Sequence, residues 1–425
     1  MARFLMMTGP YPGHVAPCLP IARKLVERNH QLVWITGCRY QGEVESTGAR
    51  FYPLPEEIDP KGMEIYEFYP ELKRLKGLAQ IKWWIKHVFL DGALREIDAL
   101  NAVLAHFPAD VLVGDTVTLG PYFRSEMGGP PSACLSVLPN CTPSCDTAPY
   151  GMGLLPGTGM LARTRNRLLN LFTQHMLLRD VNRYANHVRR QLGLEPLDGP
   201  LLSTMPRKIS LTMQASTNAF EYPRSDQLEH VHLIGPIIPQ PDNTFEPPSW
   251  WADLKTAKTV VLVNQGTIAN ILEDLIVPTI NALKDQQMLV VAVPVKEGDL
   301  RALPDHVRAA PFIPFDHLLP HIDVMVTNGG YGGTQWALAH GIPLVVAGET
   351  EDKKEVAARV EWSGAGINLR KQRPSPEDIR QAVREVLTNP VYRENAKRIQ
   401  SDFAQYDAPR QAVELLEALA GQDMG

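Results

Sequence analysis

The residues best suited to chemistry sit beside the strongest backbone breakers. Gly9-Pro-Tyr-Pro-Gly13-His14 must turn sharply, and it delivers a histidine to the mouth of the helical pattern that follows. Imidazole titrates near neutrality, which makes His14 a candidate general base; a loop histidine that is simply solvated is the plain alternative. Asp110-Val-Leu-Val-Gly-Asp115 is an apolar strand pattern that ends in a carboxylate. An aspartate accepting the Nδ1 proton of His14 would fix its tautomer and leave Nε2 free. Equally, Asp115 suits the N-cap of a helix beginning near Thr116. Spacing alone leaves both readings open.

A second group of breakers points to an anion. Asp323-Val-Met-Val-Thr327 runs into Asn328-Gly-Gly-Tyr-Gly-Gly-Thr334, with four glycines in seven residues at a strand-to-helix junction. Exposed amides at the positive end of a helix suit phosphate oxygens, while a tight turn with no ligand is the alternative. The run is neither GxGxxG nor a P-loop, which counts against a nicotinamide enzyme and a P-loop ATPase. Val263-Asn-Gln-Gly266-Thr267 forms another such corner, and two corners on one cleft suit a diphosphate.

The elements that must carry these loops are short apolar runs, each followed by a helical pattern. Arg3–Thr8, Gln31–Thr36 and Asp110–Gly114 precede helical patterns such as Pro20–Arg28 and Thr116–Met127. Such alternation predicts parallel sheets, whose ligands sit beyond the carboxyl ends of the strands. Residues 62–105 and 159–193 are helical stretches that suggest a cap over one end of the sheet. The alternation restarts with Thr259–Asn264, Met288–Val293, Val324–Thr327 and Leu344–Ala347, separated by helices such as Asn270–Lys284 and Tyr331–His340. The proline-dense stretch between reads as a linker in which a helix or central strand is not expected. The organisation expected is an N-terminal domain over 1–235, a linker over 236–258, a second domain over 259–400 and a terminal helix over 401–425 that packs back on the first domain.

Length and composition agree with two globular domains: 425 residues, 44% hydrophobic and 21% charged. A net charge of −5 provides no basic field for nucleic acid or an anionic membrane, so a bound anion must be held locally. The 5 cysteines are odd in number and lack the spacing of redox or zinc motifs, and they read as reduced thiols. No secretory signal or stretch of ~18 apolar residues appears, so a cytoplasmic protein without stable membrane insertion is expected. No Asp-x-Asp triplet occurs, which argues against a metal-dependent reaction.

Two blocks carry a family resemblance: GPYPGHVAPCLPIARKL followed by LVWITG, and IPFDHLLPHIDVMVTNGGYGGTQWALAHGIPLVVAGETEDKKEVAARV. Together they resemble the bacterial and fungal nucleotide-sugar-dependent glycosyltransferases of family 1, of the macrolide and flavonoid type, and the likeness covers nearly the whole chain. It implies the GT-B architecture, two Rossmann-like α/β domains facing each other across a cleft. It further implies inverting hexose transfer from a UDP-sugar to a hydroxyl of a small apolar or aromatic acceptor. His14 would be the base and Asp115 its orienting partner. The donor set it implies comprises Gly266 and Thr267 at the diphosphate, Phe312 and Ile313 at the base, and Asp352 and Lys353 at the sugar. Asn328, Gly330, Gly332, Gly333, Thr334 and Trp336 complete it.

Three departures bear on the donor. Asn328 stands where the family commonly has His, Trp336 where a Glu usually accepts from the ribose, and Lys353 where Gln follows Asp. An indole can only donate. A dTDP-sugar is therefore less disfavoured here than in typical members. Without the resemblance, Glu349–Glu355 reads as a charged surface helix start.

For the acceptor, Trp83, Trp84, Phe89, Leu138 and Met152 are candidates, although aromatic residues at helical spacing usually pack inward. No cofactor beyond the UDP-sugar co-substrate and no metal are expected, in a monomer or weak homodimer. Rival classes are a nucleotide-sugar epimerase, a dinucleotide oxidoreductase and a non-enzymatic helper of the same fold.

Overall fold

The computed structural model describes residues 1–238, 244–266, 271–296, 298–299, 303–350 and 352–422. The first sheet contains β1 (Arg3–Met7), β2 (Gln31–Thr36), β3 (Arg50–Pro53), β4 (Val111–Asp115), β5 (Ser132–Ser136), β6 (Leu211–Gln214) and β7 (Val231–Leu233). They run parallel in the order β3-β2-β1-β4-β5-β6-β7. The second contains β8 (Val260–Asn264), β9 (Leu289–Val293), β10 (Val307–Ala309), β11 (Val324–Thr327), β12 (Leu344–Val346) and β13 (Gly366–Asn368). It too is parallel, in the order β10-β9-β8-β11-β12-β13. In both sheets the strand order reverses beside the first strand, between β1 and β4 and between β8 and β11. At such a switch point the following loops diverge and leave a crevice.

Helices cover both faces of each sheet, so the central strands are nearly continuous buried runs. Val111–Asp115 is buried throughout, and Val260–Val263 likewise. The helix Cys18–Glu27 presents Cys18, Ile21, Ala22 and Leu25 to the first sheet at helical spacing. The terminal helix Ala408–Gln422 joins the same cluster through Ala412, Val413 and Leu416, and Glu417 pairs with Arg28 at 2.7 Å.

Several local expectations need correction. The helix after β4 begins at Gly120, not Thr116, because residues 116–119 form a turn held by Asp115. The strands β5 and β6 escape an apolar-run reading because Ser132, Ser136 and Gln214 are buried polar residues. Of the stretches expected to cap the sheet end, the helix Asp91–Leu104 shares a buried cluster with β1 and the helix Arg179–Gln191 one with Cys134 of β5, so these parts lie against the first sheet. Within the proline-dense stretch, Asp253–Thr256 is helical and Leu254 packs into the second domain's core with Trp250 and Trp251.

The carboxyl ends of the two sheets face each other. Gln214, the last residue of β6, points its amide at the Tyr331 hydroxyl, 3.4 Å away, at the start of the glycine-rich helix. The Gly151 and Gly153 amides both donate at 2.9 Å to Glu355, near the start of the helix Lys353–Ser363.

Candidate active site

After β1 the chain makes a tight turn and one short helix, Pro12–Val15, which brings His14 over the end of β4. His14 Nδ1 lies 2.9 Å from Asp115 Oδ2, and the imidazole keeps 14% of its surface exposed while the carboxylate has none. Asp115 Oδ2 also accepts the Gly9 amide at 3.0 Å, and Oδ1 accepts the amides of Val117 and Thr118 at 2.9 Å each. Burial pushes the Asp115 carboxyl up, but His14 and these amides outweigh it and hold the group below its usual range. An ionised carboxylate can only accept, so Nδ1 of His14 must be the protonated nitrogen and Nε2 is the free acceptor. Asp115 therefore both orients the histidine and caps the turn that follows. Gly9 is required for this approach, since a Cβ there would lie 2.9 Å from Val117 Cγ2.

A cavity opens beside this pair. It is partly open to solvent and is bounded by Tyr11, Leu54, Ile58, Tyr69, Phe89 and Glu96. The Tyr11 ring packs edge-on against His14, with centroids 6.0 Å apart. Phe89 arrives on a π-helical segment, Trp84–Leu90, a wide turn often found at functional sites. Of the five residues expected at the acceptor, Phe89 alone lines this cavity. Trp83 and Trp84 stand behind it, edge-on to Tyr69. Leu138 offers its carbonyl to Gln214 at 2.8 Å, and Met152 sits in the loop tied to Glu355. Glu96, Tyr11 and Tyr69 went unread in the sequence. A signal existed for Glu96, a lone acid on the apolar face formed by Ala93, Ile97 and Leu100.

On the opposite side, the helix Tyr331–Ala339 starts at Gly330, and Gly330 and Gly332 have nothing within 4 Å of where a Cβ would stand. Gly333 lies in the same first turn, and Thr334 is fully buried. Gly266 follows β8 with φ +75, a conformation glycine adopts freely, and lies against the Asn328 side chain. Asn328 uses Nδ2 to donate to the Gln265 carbonyl rather than leaving it for a ligand. Among the described residues, Asn328 Oδ1 and Thr334 Oγ1 are buried at this corner without a hydrogen-bond partner. Thr267 lies outside the described residues.

The remaining donor candidates are scattered differently from a single contact set. Phe312 is 73% exposed and Ile313 is in the core. The Trp336 indole N–H is spent on the Ile237 carbonyl at 3.0 Å. Asp352 precedes the helix Lys353–Ser363, and Lys353 is buried with Nζ 3.0 Å from the Thr350 hydroxyl. Glu349 and Thr350 of that segment are exposed, whereas Lys353 and Glu355 are buried, so it reads as surface only at its beginning.

Two doubly wound sheets meeting at their carboxyl ends, with a His–Asp pair on one side and an open glycine-rich helix start on the other, define a GT-B glycosyltransferase. The profile of the erythromycin biosynthesis protein CIII-like C-terminal domain matches residues 279–419. The chain is 43% identical to 4'-demethylrebeccamycin synthase of Lentzea aerocolonigenes, covering 98% of this chain and 99% of that one. It is 33% identical to UDP-glycosyltransferase 2 of Phaeomoniella chlamydospora, covering 97% and 94%. The glycosyltransferase VinC in complex with dTDP superposes with a TM-score of 0.69 at 19% identity, over 99% of this chain and 100% of that one. The chain belongs to the family 1 nucleotide-sugar-dependent glycosyltransferases. No helix among the described residues is long and apolar enough to cross a membrane.

Proposed function

We propose that the protein moves a hexose from a UDP-sugar to a hydroxyl of a small aromatic or polyketide-like acceptor, with inversion and without a metal ion. The observation that carries the mechanism is the 2.9 Å contact between His14 Nδ1 and a carboxylate whose other lone pairs are occupied by backbone amides. The acceptor hydroxyl gives its proton to His14 Nε2 as its oxygen bonds to the anomeric carbon. The bond from that carbon to the diphosphate breaks, and UDP leaves with the electron pair. Asp115 stabilises the imidazolium as it forms. Amides at the start of the helix Tyr331–Ala339 and its positive end stabilise the growing charge on the diphosphate. One displacement turns an α-linked donor into a β-glycoside.

A dTDP-sugar is the second reading. The Trp336 indole is committed to Ile237 and offers no acceptor to a ribose 2′-hydroxyl, so that side chain gives no preference for ribose over deoxyribose. The VinC complex with dTDP is in keeping with it.

The test is turnover of UDP-glucose and dTDP-glucose with a panel of phenolic acceptors, for the parent and for His14→Ala, with and without EDTA. The variant is expected to lose about 10²–10⁴-fold in kcat, and EDTA to have no effect. Equal rates in parent and variant would sink His14 as the base.

A further inference from the structure

The cavity beside His14 contains a carboxyl group that the mechanism does not use. Glu96 is 6% exposed on the helix Asp91–Leu104, among walls of Tyr11, Tyr69, Phe89, Leu54 and Ile58. Its Oε2 accepts the Gly120 amide at 2.6 Å. The Leu119 amide is also directed at this carboxyl, and no side chain among the described residues is hydrogen-bonded to Oε1. Gly92, one turn earlier, also lines the cavity, and a Cβ there would lie 3.9 Å from Oε1. Glycine within a helix costs about 0.5–1 kcal/mol relative to alanine, and at this position it leaves the carboxyl uncovered. The bounding residues include no lysine or arginine to compensate a second negative charge.

We propose that Glu96 is a specificity-determining residue of the acceptor cavity, hydrogen-bonding through Oε1 to a neutral carbonyl oxygen on a flat aromatic acceptor and disfavouring anionic acceptors. The proposal rests on the reading of this cavity as the acceptor site. Burial favours the neutral acid, its carboxyl being pushed up to about 8, so near neutrality Oε1 carries the proton and donates. A carbonyl oxygen is the matching group, and the aromatic walls select a ring to carry it. A residue that did no more than cap the helix Gly120–Glu126 through Oε2 would be blind to the ligand.

The probes are 2-hydroxy-9-fluorenone and 2-hydroxyfluorene, flat tricyclic phenols that differ in a ring C=O against CH2. Their affinities are measured by fluorescence quenching of the full-length protein, without donor. The parent is expected to prefer the ketone about fivefold to tenfold. Glu96→Gln, which keeps an acceptor for Gly120 and an N–H donor for the ligand, retains the preference. Glu96→Leu loses it, and so does Gly92→Ala, which sets a methyl against Oε1 while leaving the carboxyl in place and keeps the test valid if the leucine variant misfolds. Equal affinity of the parent for both probes, no binding of either, or an unchanged ratio in Gly92→Ala overturns the proposal. Glucoside formation is scored separately: discrimination in binding with no product from any donor would remove the transferase mechanism and leave the Glu96 assignment standing.

Discussion

Two buried carboxylates some 20 residues apart in sequence differ in charge because different donors oppose the same burial. Asp115 receives three amides and the imidazole, and stays ionised. Glu96 receives the Gly120 and Leu119 amides but no cation, and burial carries it to about 8. Their linkage to folding has opposite signs. Between the ordinary carboxyl value of 4.5 and about 8 the folded chain holds the Glu96 proton more tightly than the unfolded chain, so stability falls as pH rises through that window. Asp115, held below 3.8, contributes stability above that value which is lost as the medium is acidified. Urea denaturation between pH 5 and 8 is therefore expected to show an alkaline decline that Glu96→Gln flattens. A parallel decline in both proteins would show that Glu96 is not its source.

At the scale of the element, the glycine-rich helix start separates structural from functional demands. Gly332 lies in the helix Tyr331–Ala339, and an added methyl meets no atom within 4 Å. Gly332→Ala is thus expected to leave the fold intact, with a gain of up to about 0.5–1 kcal/mol in thermal unfolding. In the proposed mechanism the same methyl would stand where the diphosphate meets the amides. KM for UDP-glucose is expected to rise on the order of tenfold, the scale of one lost charge-assisted hydrogen bond. Unchanged kinetics in a well-folded variant would return this helix start to a plain tight turn.

Across the whole molecule, one buried cation ties the two halves together. Arg359, on the helix that follows the proposed sugar-binding pair, contacts Glu221 of the first half through Nε and again through Nη2 at 3.3 Å. Its Nη1 reaches Glu355 Oε2 at 3.2 Å, and the guanidinium lies 4.1 Å from the centre of the Tyr222 ring. Glu355 in turn holds the loop around Met152. Removing one member of a buried ionic group strands the others, at a cost of about 3–5 kcal/mol. Arg359→Ala is expected to lose that much in chemical denaturation, and to split one unfolding transition into two as the halves uncouple. A single transition at the parent midpoint would show that the halves are joined elsewhere.

The sequence by itself determined the alternation of strands and helices, the two α/β halves and the breaker-rich loops at the strand ends, because those signals are local. A strand of Val and Leu, a helix of period 3.6 and a glycine run that cannot continue either are visible within a dozen residues. The His14–Asp115 pair was legible as a possibility, since parallel strands put both residues on the same rim. Only the tertiary structure decided what each side chain meets. His14 and Asp115 are separated by 101 residues and Glu221 and Arg359 by 138. Trp336 gave its indole to Ile237, Lys353 and Glu355 turned inward from a stretch that reads as surface, and Glu96 closed a cavity with Tyr11 and Phe89. Such partnerships arise from the packing of distant segments and leave no period in the chain.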